Sequence, residues 1–320
     1  MWNFGPPHTL YSLPRLDEEQ RRRHRRRNLL QSLLLLAAMG LLLVLCALLL
    51  FGPVASLWAA LGWLLAVLVG PRVEPAAALA ILGAQPLSRR AFPRGYAILD
   101  VLAQRAKLQE TPPLYYLPSR QLNAFTVGRR GEAAIAVTAG LLQHLNGREF
   151  AAVMAHEIGH IVNYDLWVMN LADSISRLTQ MLGFLGVMLL FFGLPLLATG
   201  NVGAAWFFGA LLLSFAPTLS SLLQLALSRT REFDADLEAV ALTGDPEGLV
   251  SALKKLERQQ NGLWQFLTGR SRREAPSLLR THPATAERIE RLRSLQTEPE
   301  LVELWGRDFQ KPDERLRRLF

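Results

Sequence analysis

Two stretches of this chain carry no charged side chain for longer than a globular core can use. The first is Leu29 to Phe51; the second lies between Arg177 and Arg229. A helix of about 20 apolar residues is enough to cross bilayer hydrocarbon. Gly52-Pro53 breaks the first run, and Val54 to Gly70 resumes it, still uncharged, with Trp58 and Trp63. That second leg is short for a span and reads as the return of a tight hairpin. Thr199-Gly200-Asn201 divides the other stretch into two halves, each long enough to span, with Pro195 and Pro217 expected to kink them. The expectation is about four transmembrane helices. Buried core helices, or a second hairpin that enters the bilayer only in part, are the alternatives.

The net charge of +8 would by itself admit nucleic acid or anionic lipid as a partner. Position decides. Arg21-Arg22-Arg23-His24-Arg25-Arg26-Arg27 abuts the first apolar run, where it reads as a positive-inside anchor and not as a nucleic-acid patch. The run it precedes is longer than a signal-peptide core, and no small-residue cleavage site follows. Arg72, Arg177 and Arg229 flank the other apolar ends, so both termini and the polar part of the chain are expected in the cytoplasm. The one cysteine, Cys46, lies in an apolar run, so no intramolecular disulfide forms.

Chemistry enters at Ala155-His156-Glu157-Ile158-Gly159-His160-Ile161. Residues i and i+4 share one helix face, so His156 and His160 can aim two imidazoles at one ion. Glu157 is placed to reach a water at that ion as general base, the zincin arrangement. A catalytic zinc needs a third protein ligand and an open position. The stretch Ser228 to Leu242 offers Glu232, Asp234, Asp236 and Glu238. Glu232 and Asp236 are again i and i+4, so one could bind metal while the other hydrogen-bonds a ligand histidine.

The polar segments have their own pattern. A helix is expected from Phe92-Pro93 to about Lys107. Strands are expected at Leu114–Leu117, Asn123–Val127 and Ala133–Thr138, the last two joined by a turn from Gly128 to Gly131. A short helix over Ala139–Leu145 precedes the H-E-x-x-H helix, which opens near Arg148. Past Pro246, Leu249, Leu253 and Leu256 mark one amphipathic helix and Ile289 and Leu292 another, with Thr281-His282-Pro283 capping the second. Five regions result: a basic tail (1–28), a transmembrane hairpin (29–70), the first part of a catalytic domain (73–170), a second hairpin (178–227) and the second part of that domain (228–320).

In order along the chain, Asn123-Ala124-Phe125, H-E-x-x-H, Glu232-x-x-x-Asp236 and His282-Pro283-x-x-x-x-Arg288, set around two apolar pairs, resemble the HtpX-like membrane zinc metalloproteases, relatives of the CAAX prenyl proteases. The likeness covers about Val73 to Leu292 and the spans. Ala284 stands where a second proline is common, and the basic tail is longer than usual. The resemblance implies an α+β, mainly helical gluzincin unit with one zinc per chain, held by His156, His160 and Glu232. It implies a multi-pass protein of the bacterial inner membrane with a cytoplasmic active site, cleaving misfolded or damaged membrane proteins. Its partners would be polypeptides and lipid, with no nucleic acid and no organic cofactor.

Gluzincins commonly add a donor for the oxyanion from outside the H-E-x-x-H helix. Among the histidines, His282 is the one left in the catalytic half, at a helix start where Pro283 fixes the backbone. Arg288 and Asn123 are expected at the substrate. Glu157 would take a proton from the attacking water and pass it to the leaving amine. Two other readings are a metal-binding scaffold without activity and a zinc protease whose H-E-x-x-H lies inside a span. The intact Glu157 opposes the first; Arg148, Glu149, Asn163 and Asp165 around the motif oppose the second.

Overall fold

The computed structural model describes residues 18–69, 74–200, 204–268 and 285–294. The tail before residue 18, Arg72 and His282 lie outside them. Ten helices and four strands are found among the described residues. The first pair is α1 (Glu18–Phe51) and α2 (Pro53–Val69), turned at Gly52 with φ +81°. Trp63 of α2 lies where a Cβ on Gly40 would stand, so that glycine sets how closely the two legs pack.

A mixed sheet follows. Its strands are β1 (Gln85–Leu87), β2 (Leu114–Leu117), β3 (Ala124–Val127) and β4 (Ala134–Thr138), in the order β1-β2-β4-β3. β2 and β4 are parallel and the other two pairings antiparallel. The expected turn between β3 and β4 is present, with Gly128 at φ +104° and Gly131 at φ +92°, values a side chain resists. β4 is buried throughout because it is covered on both faces. Ala134 and Ala136 meet Leu79 of α3 (Pro75–Ile81). Ile135 and Val137 turn to the main core with Leu99 and Leu102 of α4 (Pro93–Arg105). Strand alternation produces this split.

After α5 (Ala139–His144), capped by the Thr138 hydroxyl, comes α6 (Gly147–Val162). Asn146 and Glu149 form a capping box that fixes the start of α6. Glu149 is buried and also accepts from Ser251 and Lys255 of α9 (Pro246–Thr268), so the cap ties two helices together. α6 is buried on almost every side, by the sheet, α4, α8 and α9.

Two long helices make the second apolar pair, α7 (Asp165–Ala198) and α8 (Ala204–Thr243). Neither Pro195 nor Pro217 interrupts its helix. Pro217 instead packs at Gly183, where the missing side chain lets the helices approach. Ser176 and Ser220 meet across the pair at 3.1 Å. Leu36, Met39 and Leu43 of α1 pack with Leu171, Ala172 and Ile175 of α7 and Leu227 of α8, while Leu42 and Cys46 pack with Leu213 and Ala216. By length and composition α1, α7 and α8 are apolar enough to cross a membrane, and α2 contributes a shorter apolar helix. The last described element is α10 (Thr285–Arg293), against α9 and α8.

Candidate active site

His156 and His160 stand one turn apart on α6 with ring centroids 4.7 Å apart. α8 brings Glu232 opposite them: one potential ligand atom from each of the three residues lies within 4.8 Å of the others. Oε2 of Glu232 is 3.5 Å from Nε2 of His156, and Oε1 is 4.0 Å from Nε2 of His160. Both imidazoles thus present the same nitrogen to the same carboxylate.

Their other nitrogens are held from behind. Asp236 Oδ1 lies 3.0 Å from Nδ1 of His156, though not in hydrogen-bond alignment. Nδ1 of His160 is hydrogen-bonded to Asp165 Oδ2 at 2.9 Å. A carboxylate at Nδ1 fixes the ring and favours the tautomer whose Nε2 lone pair is free. Each carboxylate meets an arginine in turn. Arg288 donates to both oxygens of Asp236, at 2.7 and 2.6 Å, and its Nη1 is 2.9 Å from Glu232 Oε2. Arg231 donates to Asp165 at 3.1 Å.

Glu157 points its Oε2 at the hydroxyl of Thr126, which donates to it at 2.7 Å. Thr126 sits on β3, an edge strand among the described residues, next to α6. The site opens on a cavity of about 370 Å³ lined by Asn123, Phe125, Met169 and Ser228 as well as these groups.

The charges can be counted. Glu157, Asp165, Glu232 and Asp236 are all buried around the cavity, against two buried arginines, Arg231 and Arg288. With neutral histidines the site is short of two positive charges. A divalent cation held by His156, His160 and Glu232 would balance it, so the donor set and the charge both fit a metal. Protons respond to the same imbalance. Burial alone would push His156 down, but Asp236 and Glu232 outweigh it and raise its pKa to about 10. His160 is raised too: burial opposes this, and the Asp165 hydrogen bond prevails.

The structure brings together His156, Glu157, His160, Glu232, Asp236, Asn123 and Arg288. Three contributors escaped sequence reasoning: Asp165, its partner Arg231, and Thr126. Asp165 reaches His160 because Tyr164 adopts φ +59°, which turns α7 back onto α6. Left-handed backbone at a tyrosine leaves no trace in hydrophobic periodicity. Thr126 was legible as a strand residue, but not as a partner of Glu157.

These features are the ones a metallopeptidase site requires, and similarity to known proteins supplies the class. The sequence model for peptidase family M48 matches residues 92–296. A protein named Protease HtpX homolog from Acaryochloris marina is 40% identical over 235 residues, covering 68% of this chain and 78% of that protein. Proteins of the same name from Acidiphilium cryptum and Bifidobacterium longum are 37% and 35% identical, covering 70% and 69% of this chain and 81% and 76% of their own. The chain therefore belongs to peptidase family M48, among its HtpX-like members, and is a membrane metalloprotease.

Proposed function

We propose that the chain is a zinc endopeptidase that degrades misfolded or damaged membrane proteins from the cytoplasmic side of a bacterial inner membrane. The observation that carries this is the His156–His160–Glu232 cluster, with His156 and Glu232 buried and His160 half-buried, two positive charges short and open to a cavity. Histidine nitrogen and carboxylate oxygen at four-coordinate geometry suit zinc. One zinc held there would lower the pKa of its water toward neutrality and polarise the scissile carbonyl. Glu157, its carboxylate held by Thr126, takes the proton from the attacking water and returns it to the leaving amine. No covalent intermediate is required.

Asp236 and Asp165 hold the histidine rings. Arg288 is buried against Asp236 and Glu232 and also lines the cavity, which supports a bracing role for those carboxylates beside the expected one at the substrate. Asn123 lines the cavity beside the edge strand, which supports its place at the substrate. His282 is six residues before Arg288 in the sequence, and Thr285 and Arg288 line the cavity, which supports an oxyanion donor from that segment. A sheet edge beside the H-E-x-x-H helix supports a gluzincin unit built from 73–170 and 228–320, with α1, α2, α7 and α8 as four spans around it. The arginine run in the first turns of α1, ahead of its apolar part, supports cytoplasmic termini. Purified, detergent-solubilised protein should cleave casein, contain one zinc per chain, and lose activity to a chelator. Cleavage unaffected by metal removal would refute the reading.

A further inference from the structure

The bundle can be put on one depth scale. α8 runs antiparallel to α1: Leu227 packs by Leu36 and Met39, Leu213 by Cys46, and Gly209 faces Leu49. α7 is antiparallel to α8, with Asp165 at Arg231 and Ser176 at Ser220. Asp173 and Arg177 of α7 therefore stand level with the interior of the apolar run of α1. If that level were in water, Leu29, Leu30, Leu33 and Leu34, each more than half exposed, would be in water too. The turn at Gly52-Pro53 would meanwhile sink into hydrocarbon, because only about ten residues of α1, about 15 Å at 1.5 Å per residue, separate that level from the turn. With the α1–α2 hairpin across the bilayer, Asp173 and Arg177 lie about 10 and 16 Å beyond Leu166 at 1.5 Å per residue, which puts Arg177 inside the span and not at the flank expected of it.

They form an ion pair, Arg177 Nε donating to Asp173 Oδ2 at 2.8 Å, with side chains 76% and 47% exposed. Exposed charge at that depth is costly, and intramembrane ionisable groups mark paths for substrates or ions. The direction of this pair is informative. At about 100° per residue, Leu166, Met169, Asn170, Asp173, Arg177 and Gln180 share one face of α7. Leu166 and Met169 line the active-site cavity. The opposite face, with Leu171, Ala172, Ile175 and Thr179, is buried. On α8, Ser228 lines the same cavity, and Gln224 and Ser221 continue its line into the span.

The geometry points to this polar stripe of α7 and α8 as a track along which an unwound segment of a membrane-protein substrate reaches the cavity. An extended peptide in hydrocarbon has N–H and C=O groups without partners. Asn170, Asp173, Arg177 and Gln180 supply both donors and acceptors, and the ion pair does so without net charge. The inference rests on the proteolytic reading above and names where its membrane substrates lie before cleavage.

The full chain in vesicles is assayed on two substrates, soluble casein and a single-span protein with its cleavage site inside the hydrocarbon. Asp173→Leu with Arg177→Leu should lower the ratio of membrane-protein to casein cleavage by about tenfold or more, since the peptide backbone loses its partners. Asp173→Asn with Arg177→Gln should restore the ratio. An unchanged ratio in the leucine variant, or no restoration in the amide variant, overturns the track. Depth is checked in a Cys46→Ser background with a water-soluble maleimide. Gln180→Cys should label and Leu41→Cys, exposed at similar depth on α1, should not. Equal labelling of both, or of neither, also overturns it. Absence of chelator-sensitive cleavage of either substrate by the unsubstituted chain would instead refute the proteolytic reading itself.

Discussion

Behind each proposed ligand histidine stands a carboxylate, and behind each carboxylate an arginine, yet the two supports are built from different parts. His156–Asp236–Arg288 draws on α6, α8 and α10, and its arginine also reaches Glu232. His160–Asp165–Arg231 draws on α6, α7 and α8 and stops at the histidine. The first therefore couples two of the three proposed ligands, while the second ties one ligand to the base of an apolar helix pair. Both answer one constraint: a buried carboxylate that orients a ring needs a cation of its own. The lesson is that the electrostatic problem recurs within one site while its solution depends on which helix is at hand.

Substitutions can break or sharpen this comparison. The largest effect is expected from Glu232→Ala, which removes the ligand that Arg288 also braces. The variant should keep no zinc after dialysis and no activity; full zinc content would mean another carboxylate completes the site. Glu157→Gln leaves both supports untouched, so zinc should stay while kcat falls by about a hundred- to ten-thousandfold. Near-normal turnover would remove Glu157 as the base. His282→Ala also lies outside both supports. It should keep zinc and melting temperature and lose about a hundred- to a thousandfold in kcat; an unfolded variant or an unchanged kcat would leave a structural residue.

The supports themselves come next. Asp236→Ala and Asp165→Ala should each weaken zinc affinity by about ten- to a hundredfold. Asp236→Ala should cost more, because it also strands Arg288 beside Glu232. Competition with a zinc-binding dye measures both, and a larger loss from Asp165→Ala would reverse the ranking. The smallest effect is expected from Thr126→Val, which removes a hydrogen bond to a charged group and should lower kcat by about tenfold with zinc retained. A variant as fast as the unsubstituted chain would make that contact incidental.

How much of this was readable in the sequence follows from how local each signal is. The i, i+4 pairs of His156 with His160 and of Glu232 with Asp236 need only a helix, and both stand on one. Strands β2, β3 and β4 and the glycine turn between the last two also fell where alternation and turn chemistry put them. β1 was missed: Gln85-Pro86-Leu87 is three residues long and contains a proline, which is tolerated at a sheet edge but gives no strand pattern. Asp165 and Arg231 were legible only as charges beside apolar runs. Their meeting depends on the antiparallel register of α7 and α8, which no single segment encodes. Arg288 was placed near the site by its motif, but whether a guanidinium faces substrate or a buried carboxylate is set by packing between elements.

One feature of α8 bears on how the enzyme is made. The same unbroken helix that forms the returning leg of the second apolar pair carries Glu232 and Asp236 at its far end. His156 and His160 leave the ribosome well before it. Until α7 and α8 have been inserted and have folded back on each other, the histidines have no third ligand and Asp165 has no arginine. A nascent chain stalled before that point, or one that failed to insert, therefore holds only half a metal centre. Pairing of α7 with α8 is therefore a condition for completing the metal centre, and the brace from Arg288 of α10 can follow only after it.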